Sequence, residues 1–184
     1  MLSKVMRLFT GIMLFSVIAY AQEIRNPTSI GPHIGWYKST DADEGSLMFG
    51  GAIKIKLTNA LGVEGSVDYR TENYRNKSVM VRSWPVMVTG LFYPVENIYG
   101  AVGVGWYNSE VDYENDLDYL PSKSEQDFGW HFGAGIEIPL SKNVIINGDF
   151  RYTFLDYNFE EVPGSDEINS DMFAITAGIL FVIN

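Results

Sequence analysis

The chain has 184 residues, no cysteine, 13 Lys and Arg against 23 Asp and Glu, and a formal net charge of -10. These figures exclude a disulfide-stapled mini-protein, thiolate chemistry and a cysteine metal site, and net acidity makes nucleic acid an unsuitable partner, because a phosphate backbone wants a basic face. Hydrophobic residues at 46% and aromatics at 14% exclude general disorder.

Residues 1–21 read as a secretory signal peptide. Lys4 and Arg7 supply a positive start, Leu8 to Ala19 is mostly apolar, and Ala19-Tyr20-Ala21 fits the small-x-small cleavage rule. The run is short for a helical span, which needs roughly 20 apolar residues, and no cysteine follows it to carry a lipid anchor. Cleavage is expected before Gln22. The mature domain is then 22–184, and losing Lys4 and Arg7 takes its net charge to -12.

Beyond the leader, apolar residues recur at every second position, the period of a strand. The pattern predicts eight strands, over about 30–39, 47–57, 61–71, 79–93, 98–108, 127–138, 144–156 and 171–183. Most run ten residues or more, whereas ordinary soluble strands average about five or six and a tilted membrane strand needs roughly 9–11. The connections alternate. Thr58-Asn59-Ala60, Pro94 to Asn97 and Leu140 to Asn143 are tight turns, while 40–46, 72–78, 109–126 and 157–170 are longer and polar. Short turns on one side and long loops on the other fit an outer-membrane barrel, with both termini on the short-turn, periplasmic side.

The composition of the two strand faces decides the solvent. In the sixth strand Phe128, Trp130, Phe132, Ala134, Ile136 and Ile138 share one face, and Asp127, Gly129, His131, Gly133, Gly135 and Glu137 the other. The third strand sets Leu61, Val63, Val67 and Tyr69 against Gly62, Glu64, Ser66, Asp68 and Arg70. A water-exposed second face favours Lys, Glu and Thr. This one is rich in Gly, Ala and Ser, which leave room inside a narrow barrel for a few large groups. The apolar face then meets lipid, with Val104 facing it near mid-strand, and closure satisfies every backbone group. Trp36, Tyr69, Tyr93, Trp106, Trp130 and Tyr152 are expected to form aromatic girdles. The fourth strand is irregular: Pro85 donates no ladder bond, a bulge near it is one way to switch the register, and the sequence leaves its inward face open.

The long loops and their rims, from Asp41 to Asp171, hold most of the acids and few cations besides Arg75, Lys77 and Lys123. This rim is expected to be solvated, with contact through it to divalent cations or extracellular protein as further readings. Inside, Lys54, Lys56, Arg70, Arg82 and Arg151 are expected to face Glu64, Asp68, Glu137 and Asp149. Charges in a confined interior need opposite charge, hydrogen bonds or water, so a structural ion-pair network is predicted, with Tyr99 and Tyr107 helping to fill the lumen.

No residue is assigned to catalysis, to a cofactor or to a metal. His33 and His131, on different strands, are read as packed, hydrogen-bonded side chains, because two histidines without convergent ligands do not make a zinc site. Ser39, Ser66 and Glu137 give no hydrolase spacing. Asp112-Tyr113-Glu114-Asn115-Asp116 lacks EF-hand spacing. Gly100 to Gly105 lies within a strand, without the strand–turn–helix context of a dinucleotide site.

The segments Tyr99-Gly100-Ala101-Val102-Gly103-Val104-Gly105-Trp106 and Phe132-Gly133-Ala134-Gly135-Ile136-Glu137 resemble the small outer-membrane β-barrel proteins often called porin-family or opacity-like. The resemblance covers the leader and essentially all of 28–183. The last strand, with Phe173, Ile175, Ala177, Ile179, Phe181 and Ile183 alternating, resembles the barrel-assembly signal of such proteins. Many members end in an aromatic residue, whereas this chain ends Phe181-Val182-Ile183-Asn184. The resemblance implies an all-β, eight-stranded antiparallel up-and-down transmembrane barrel in the bacterial outer membrane. It implies a monomer among membrane lipids and lipopolysaccharide, delivered by periplasmic chaperones and the barrel-assembly machinery. The family includes adhesins and membrane-stabilising proteins, and its small members need not form open pores. A non-enzymatic scaffold with acidic surface loops, for envelope stabilisation or surface contact, is therefore the expected function. A narrow channel for ions or small solutes is an alternative, as is a secreted soluble barrel with its apolar faces turned inward around an apolar ligand.

Overall fold

A computed structural model describes residues 27–40, 42, 44–74, 79–113, 123–155 and 171–183. The expected leader 1–21 and most of the long connections lie outside the described residues. The described residues form eight strands: β1 (Thr28–Ser39), β2 (Ser46–Lys56), β3 (Leu61–Tyr74), β4 (Val79–Val95), β5 (Ile98–Tyr113), β6 (Lys123–Pro139), β7 (Val144–Phe154) and β8 (Met172–Ile183). Each pairs antiparallel with its neighbours in chain order, and β8 pairs with β1 to close a barrel. Up-and-down closure leaves no edge strand in the lipid-facing wall, the condition for a sheet to cross a bilayer.

The stagger of the barrel can be traced through paired residues. Ser29 pairs with Lys54, Lys54 with Glu64, Glu64 with Thr89, Thr89 with Gly103, Gly103 with His131, His131 with Thr153, Thr153 with Met172, and Met172 with Ser39. One circuit therefore climbs from Ser29 to Ser39 on β1. With a rise of about 3.3 Å per residue and about 4.8 Å between strands, that shear over eight strands tilts them by about 40°. All of these residues point inward, so the same circuit orders the lumen by height.

The faces divide as the alternation predicts. Val102 is 63% exposed, Phe49 60% and Ile175 54%, while Tyr37, Tyr99, Tyr107 and His131 are buried at 1% or less. The exposed apolar groups face lipid, and the Gly- and charge-bearing face lines the lumen, contrary to the soluble alternative. Near the long-connection end every strand contributes an outward ring: Trp36, Phe49, Tyr69, Trp84, Trp106, Trp130, Phe154 and Phe173, from β1 to β8 in turn. Trp36 meets Phe173 at 5.4 Å, Phe49 meets Tyr69 at 5.2 Å, Tyr69 meets Trp84 at 5.7 Å, and Trp130 stacks on Phe154 at 4.1 Å. Together they form an aromatic girdle. The turn end carries Phe92 and Phe181 among Leu61, Ile98, Ile138 and Ile183 instead.

Four expectations are corrected. Tyr93 is not in the girdle: it is 4% exposed and points into the lumen. Pro85 causes no register switch. The pairing of β3 with β4 skips two positions beside it and resumes unchanged, from Val67↔Val86 to Arg70↔Ser83, and the shift falls instead between Phe92 and Val95, next to the turn. A local gap absorbs the missing proline N–H without adding a residue. Because the register does not switch, Arg82 stays in step with the outward Trp84 and Val86, level with Thr71 and Glu110 on the neighbouring strands, and not in the lumen. Finally, β5 and β6 run well past the girdle, pairing as far as Val111↔Lys123, so Glu110, Asp112 and Glu125 belong to strands and not to a loop. Polarity rises there because the strands leave lipid for water, which sequence pattern reads as a loop.

The tight turns are closed by side chains as well as backbone. Thr58 Oγ1 accepts from the Ala60 and Leu61 amides at 3.1 and 2.9 Å. Asn97 takes φ 70°, a conformation asparagine tolerates, and its carbonyl accepts from the Glu137 amide at 2.7 Å.

Paired residues place Val102 nearer the middle of the apolar belt than Val104, which lies just under the girdle at Trp106. Val102→Arg is expected to destabilise the barrel in lipid vesicles by about 2–4 kcal/mol. Urea titration followed by tryptophan fluorescence reads the loss, with Ser141→Arg in an exposed turn as the unaffected control.

Candidate functional site

The described residues place their largest concentration of polar groups inside the turn-end half of the barrel. Lys54 of β2 is the hub. Its Nζ donates to Tyr99 Oη at 2.9 Å and lies 3.3 Å from Glu64 and 3.4 Å from Glu137. Glu137 also takes Lys56 at 3.2 Å and the Tyr93 hydroxyl at 2.9 Å. Across the lumen Arg151 of β7 reaches Glu64 at 2.6 Å, Asp149 at 2.7 Å and Thr89 Oγ1 at 3.2 Å. Tyr99 closes the circuit by donating to Asp149 at 2.6 Å, with the Asn147 amide 2.8 Å from the same hydroxyl.

Three cations, Lys54, Lys56 and Arg151, thus meet three carboxylates, Glu64, Glu137 and Asp149. Lys54, Glu64 and Glu137 are each 3% exposed. Isolated ions at such depth are prohibitive, and a matched, hydrogen-bonded set is the state a narrow lumen permits. Glycine makes the space: a Cβ on Gly135 would meet the Tyr99 ring and hydroxyl, and one on Gly103 would meet His131 and the β4 backbone.

A second cluster lies nearer the long-connection end. The Arg70 guanidinium sits 4.9 Å from the Tyr107 ring centroid and 5.5 Å from that of Tyr37, contacts the Met172 sulfur and lies 3.7 Å from Glu72. Tyr37 Oη donates to the Thr71 carbonyl at 2.7 Å. Between the clusters the His33 imidazole bonds Asp68, and His131 bonds Thr89 Oγ1 at 2.9 Å. Both histidines are packed and hydrogen-bonded, on separate partners.

Of the nine charged residues expected inside, the structure gathers eight; Arg82 is the exception. Sequence reading missed Tyr93, because the aromatic was placed at the interface by residue type, and Glu72, which was counted with the loop acids. The unbroken alternation Leu91, Tyr93 with Thr89 and Met87 was the available signal. Among the described residues no group of three or more His, Asp or Glu side chains is placed to hold a metal ion.

A family model described as the outer membrane protein beta-barrel domain matches residues 8–181. The chain belongs to this family. Its members' fold recurs in solved structures. A major outer membrane protein from Thermus thermophilus matches with TM-score 0.65 at 14% identity, over 87% of this chain and all of that one. Neisserial surface protein A matches with TM-score 0.57 at 12% identity, over 86% and 97%. Ail, the attachment invasion locus protein of Yersinia pestis, matches with TM-score 0.55 at 18% identity, over 86% and 97%. At these identities the likeness carries the fold alone. No curated protein matches the chain. The protein is a small outer-membrane barrel with a filled lumen, and family membership together with a lumen of charge-paired side chains describes a non-enzymatic barrel.

Glu64→Gln leaves Arg151 and Lys54 in excess of their carboxylates. It is expected to cost about 3–5 kcal/mol in a urea titration in detergent micelles. Glu64→Gln combined with Arg151→Gln restores neutrality and is expected to cost less than the sum of the two single changes.

Proposed function

We propose that the protein is a closed outer-membrane scaffold that carries acidic outer connections for envelope stabilisation or surface contact. The observation that supports this reading is the lower ion cluster: a charge-matched set that spans the lumen from β2 to β7 and satisfies itself. An eight-stranded barrel is filled by side chains in general, and here they are bound to one another.

In this reading residues 1–21 are a leader removed before Gln22. Both termini and the tight turns face the periplasm, and the long connections face outward. Glu110, beyond the girdle on β5, stands level with the headgroups of the outer leaflet, where divalent cations bridge carboxylate and phosphate oxygens. Lipid and lipopolysaccharide are the immediate surroundings of a monomeric barrel, and its biogenesis runs through periplasmic chaperones and the assembly machinery.

Purified mature protein reconstituted in planar bilayers is expected to show no sustained conductance. Reproducible cation-selective channels altered by Glu137→Gln or Asp149→Asn would overturn the closed reading in favour of a narrow channel. Orientation has its own check. A peptide epitope inserted after Gly164 should be stained by antibody on intact cells, and one inserted after Asn59 should be stained only after permeabilisation.

A further inference from the structure

At and above the girdle, β4, β5 and β6 turn a graded patch outward. Paired residues lay it out in three rows. Val86, Trp106 and Phe128 form the lowest, Trp84, Asn108 and Gln126 the middle one, and Arg82, Glu110 and Ser124 the highest. The rows pass from apolar through amide to charged along each strand. Because paired positions climb around the barrel, the middle row starts in the girdle at Trp84 and has left it at Gln126.

The middle row is a fixed chain of hydrogen bonds. Asn108 Nδ2 donates to the Trp84 carbonyl at 3.2 Å, and Gln126 Nε2 donates to Asn108 Oδ1 at 2.6 Å. A backbone carbonyl only accepts, so it decides which way each amide faces. The chain uses one N–H of each amide and the Asn108 oxygen. The Gln126 oxygen and a second N–H on each amide remain for a ligand. A pocket of about 380 Å³ opens over this row, lined by both amides, Glu110, Ser124 and Trp84. That volume is within the range of organic-ligand sites, about 300–1,000 Å³. Trp84 is 40% exposed, and Tyr69 packs against its ring from the β3 side at 5.7 Å. Gln126 and Ser124 are exposed.

We propose that this pocket binds a sugar ring of an outer-leaflet glycolipid, with the ring's C–H face on Trp84 and its hydroxyls on the Asn108–Gln126 pair. Three features select that ligand. Primary amides both donate and accept, which matches hydroxyl groups. Arg82 and Glu110 stand opposite each other on β4 and β5, one cation with one carboxylate, so the patch lacks the net positive charge that phosphate recognition uses. The pocket also opens on the outside of the wall at the upper edge of the apolar belt. A ligand held by its acyl chains beside that belt presents its headgroup there at high effective concentration, and a free oligosaccharide does not. The inference rests on the outward placement of the long connections and gives that reading a defined lipid contact.

The test titrates mature protein, in micelles of a sugar-free amine-oxide detergent, with rough lipopolysaccharide, and calorimetry reads the affinity. Dephosphorylated lipopolysaccharide is expected to bind within about threefold of the intact glycolipid. Phosphatidylglycerol, which carries a phosphate and no sugar ring, is expected not to compete. Trp84→Leu and Gln126→Leu are each expected to weaken binding at least about tenfold, the equivalent of one or two lost hydrogen bonds. If either does not fold, Ser124→Trp fills the pocket from an exposed position and is expected to weaken binding equally. Lys38→Leu, beside Phe173 on the far wall, is expected to bind as the wild type does. Wild-type affinity in the patch variants overturns the site, and loss of binding on dephosphorylation overturns it in favour of phosphate recognition. Competition by deacylated oligosaccharide as strong as by the intact glycolipid overturns the membrane source. Failure of the outward placement shows separately, as antibody staining reversed between the Gly164 and Asn59 epitopes while binding in micelles persists.

Discussion

A sheet in hydrocarbon cannot leave a backbone N–H or C=O unpaired, since each orphan costs several kcal/mol with no water to relieve it. Closure of β8 on β1 meets that demand, and most of the remaining architecture follows from it. The circuit from Ser29 to Ser39 fixes the stagger, the stagger fixes the tilt, and strand number with tilt fixes the bore. A bore that narrow brings side chains from opposite walls together, as when Arg151 of β7 reaches Glu64 of β3 at 2.6 Å. Any charge on the inward face must therefore find its counter-charge there, and glycines make room for large inward side chains, as Gly135 does for Tyr99 and Gly103 for His131.

The ionic filling is not an efficient source of net stability. A buried, matched ion set does little better than an apolar one of the same volume, although breaking it by half is expensive. Its value lies in register. Strand period is two, so a slip by one residue carries every inward side chain to the lipid. For β3 such a slip would put Glu64, Asp68 and Arg70 in hydrocarbon, and for β7 Asp149 and Arg151. An apolar lumen would carry no such penalty, because Val or Leu is at home on either face. The charged interior therefore excludes the misregistered barrel more than it strengthens the correct one. Pro85 illustrates how firmly the register is held: two ladder positions are skipped beside it and the pairing resumes unchanged.

How much of this was legible in the sequence follows from which interaction set each feature. Strand number, order and facing come from alternation, a local signal, and β6 and β8 displayed it without interruption. The residues of the lower cluster were legible as a set, because charge on an inward face announces itself. Their pairing was not, since Lys54 meets Glu137 from 83 positions away and only the stagger decides that. Strand ends were misjudged where β3, β5 and β6 leave lipid. Glu110, Asp112 and Glu125 look like loop residues because hydrophobic pattern measures the solvent and not the hydrogen bonding, and above the girdle the ladder continues in water. Arg82 and Tyr93, eleven positions apart, lie on opposite faces of an unswitched strand, and each was placed by residue type, the charge inward and the aromatic at the interface, where the register of β4 sets the reverse.

The division between wall and connections also bears on where specificity can reside. Along the strands nearly every position is already committed: the outward one to lipid, the inward one to a lumen of paired charges, and the aromatic ring to the interface. The lower cluster balances three cations with three carboxylates, and below the girdle the outward face carries apolar and aromatic groups, so the acidity of the chain is concentrated above the girdle. There β5, paired with β4 and β6, holds Glu110 level with Arg82 and Ser124 before the chain enters its long connections. Charge presented from a hydrogen-bonded sheet gives up less conformational entropy on binding than charge on a free loop. The constraint that leaves the lumen no freedom thus leaves recognition to the rim, and hands it a rigid base.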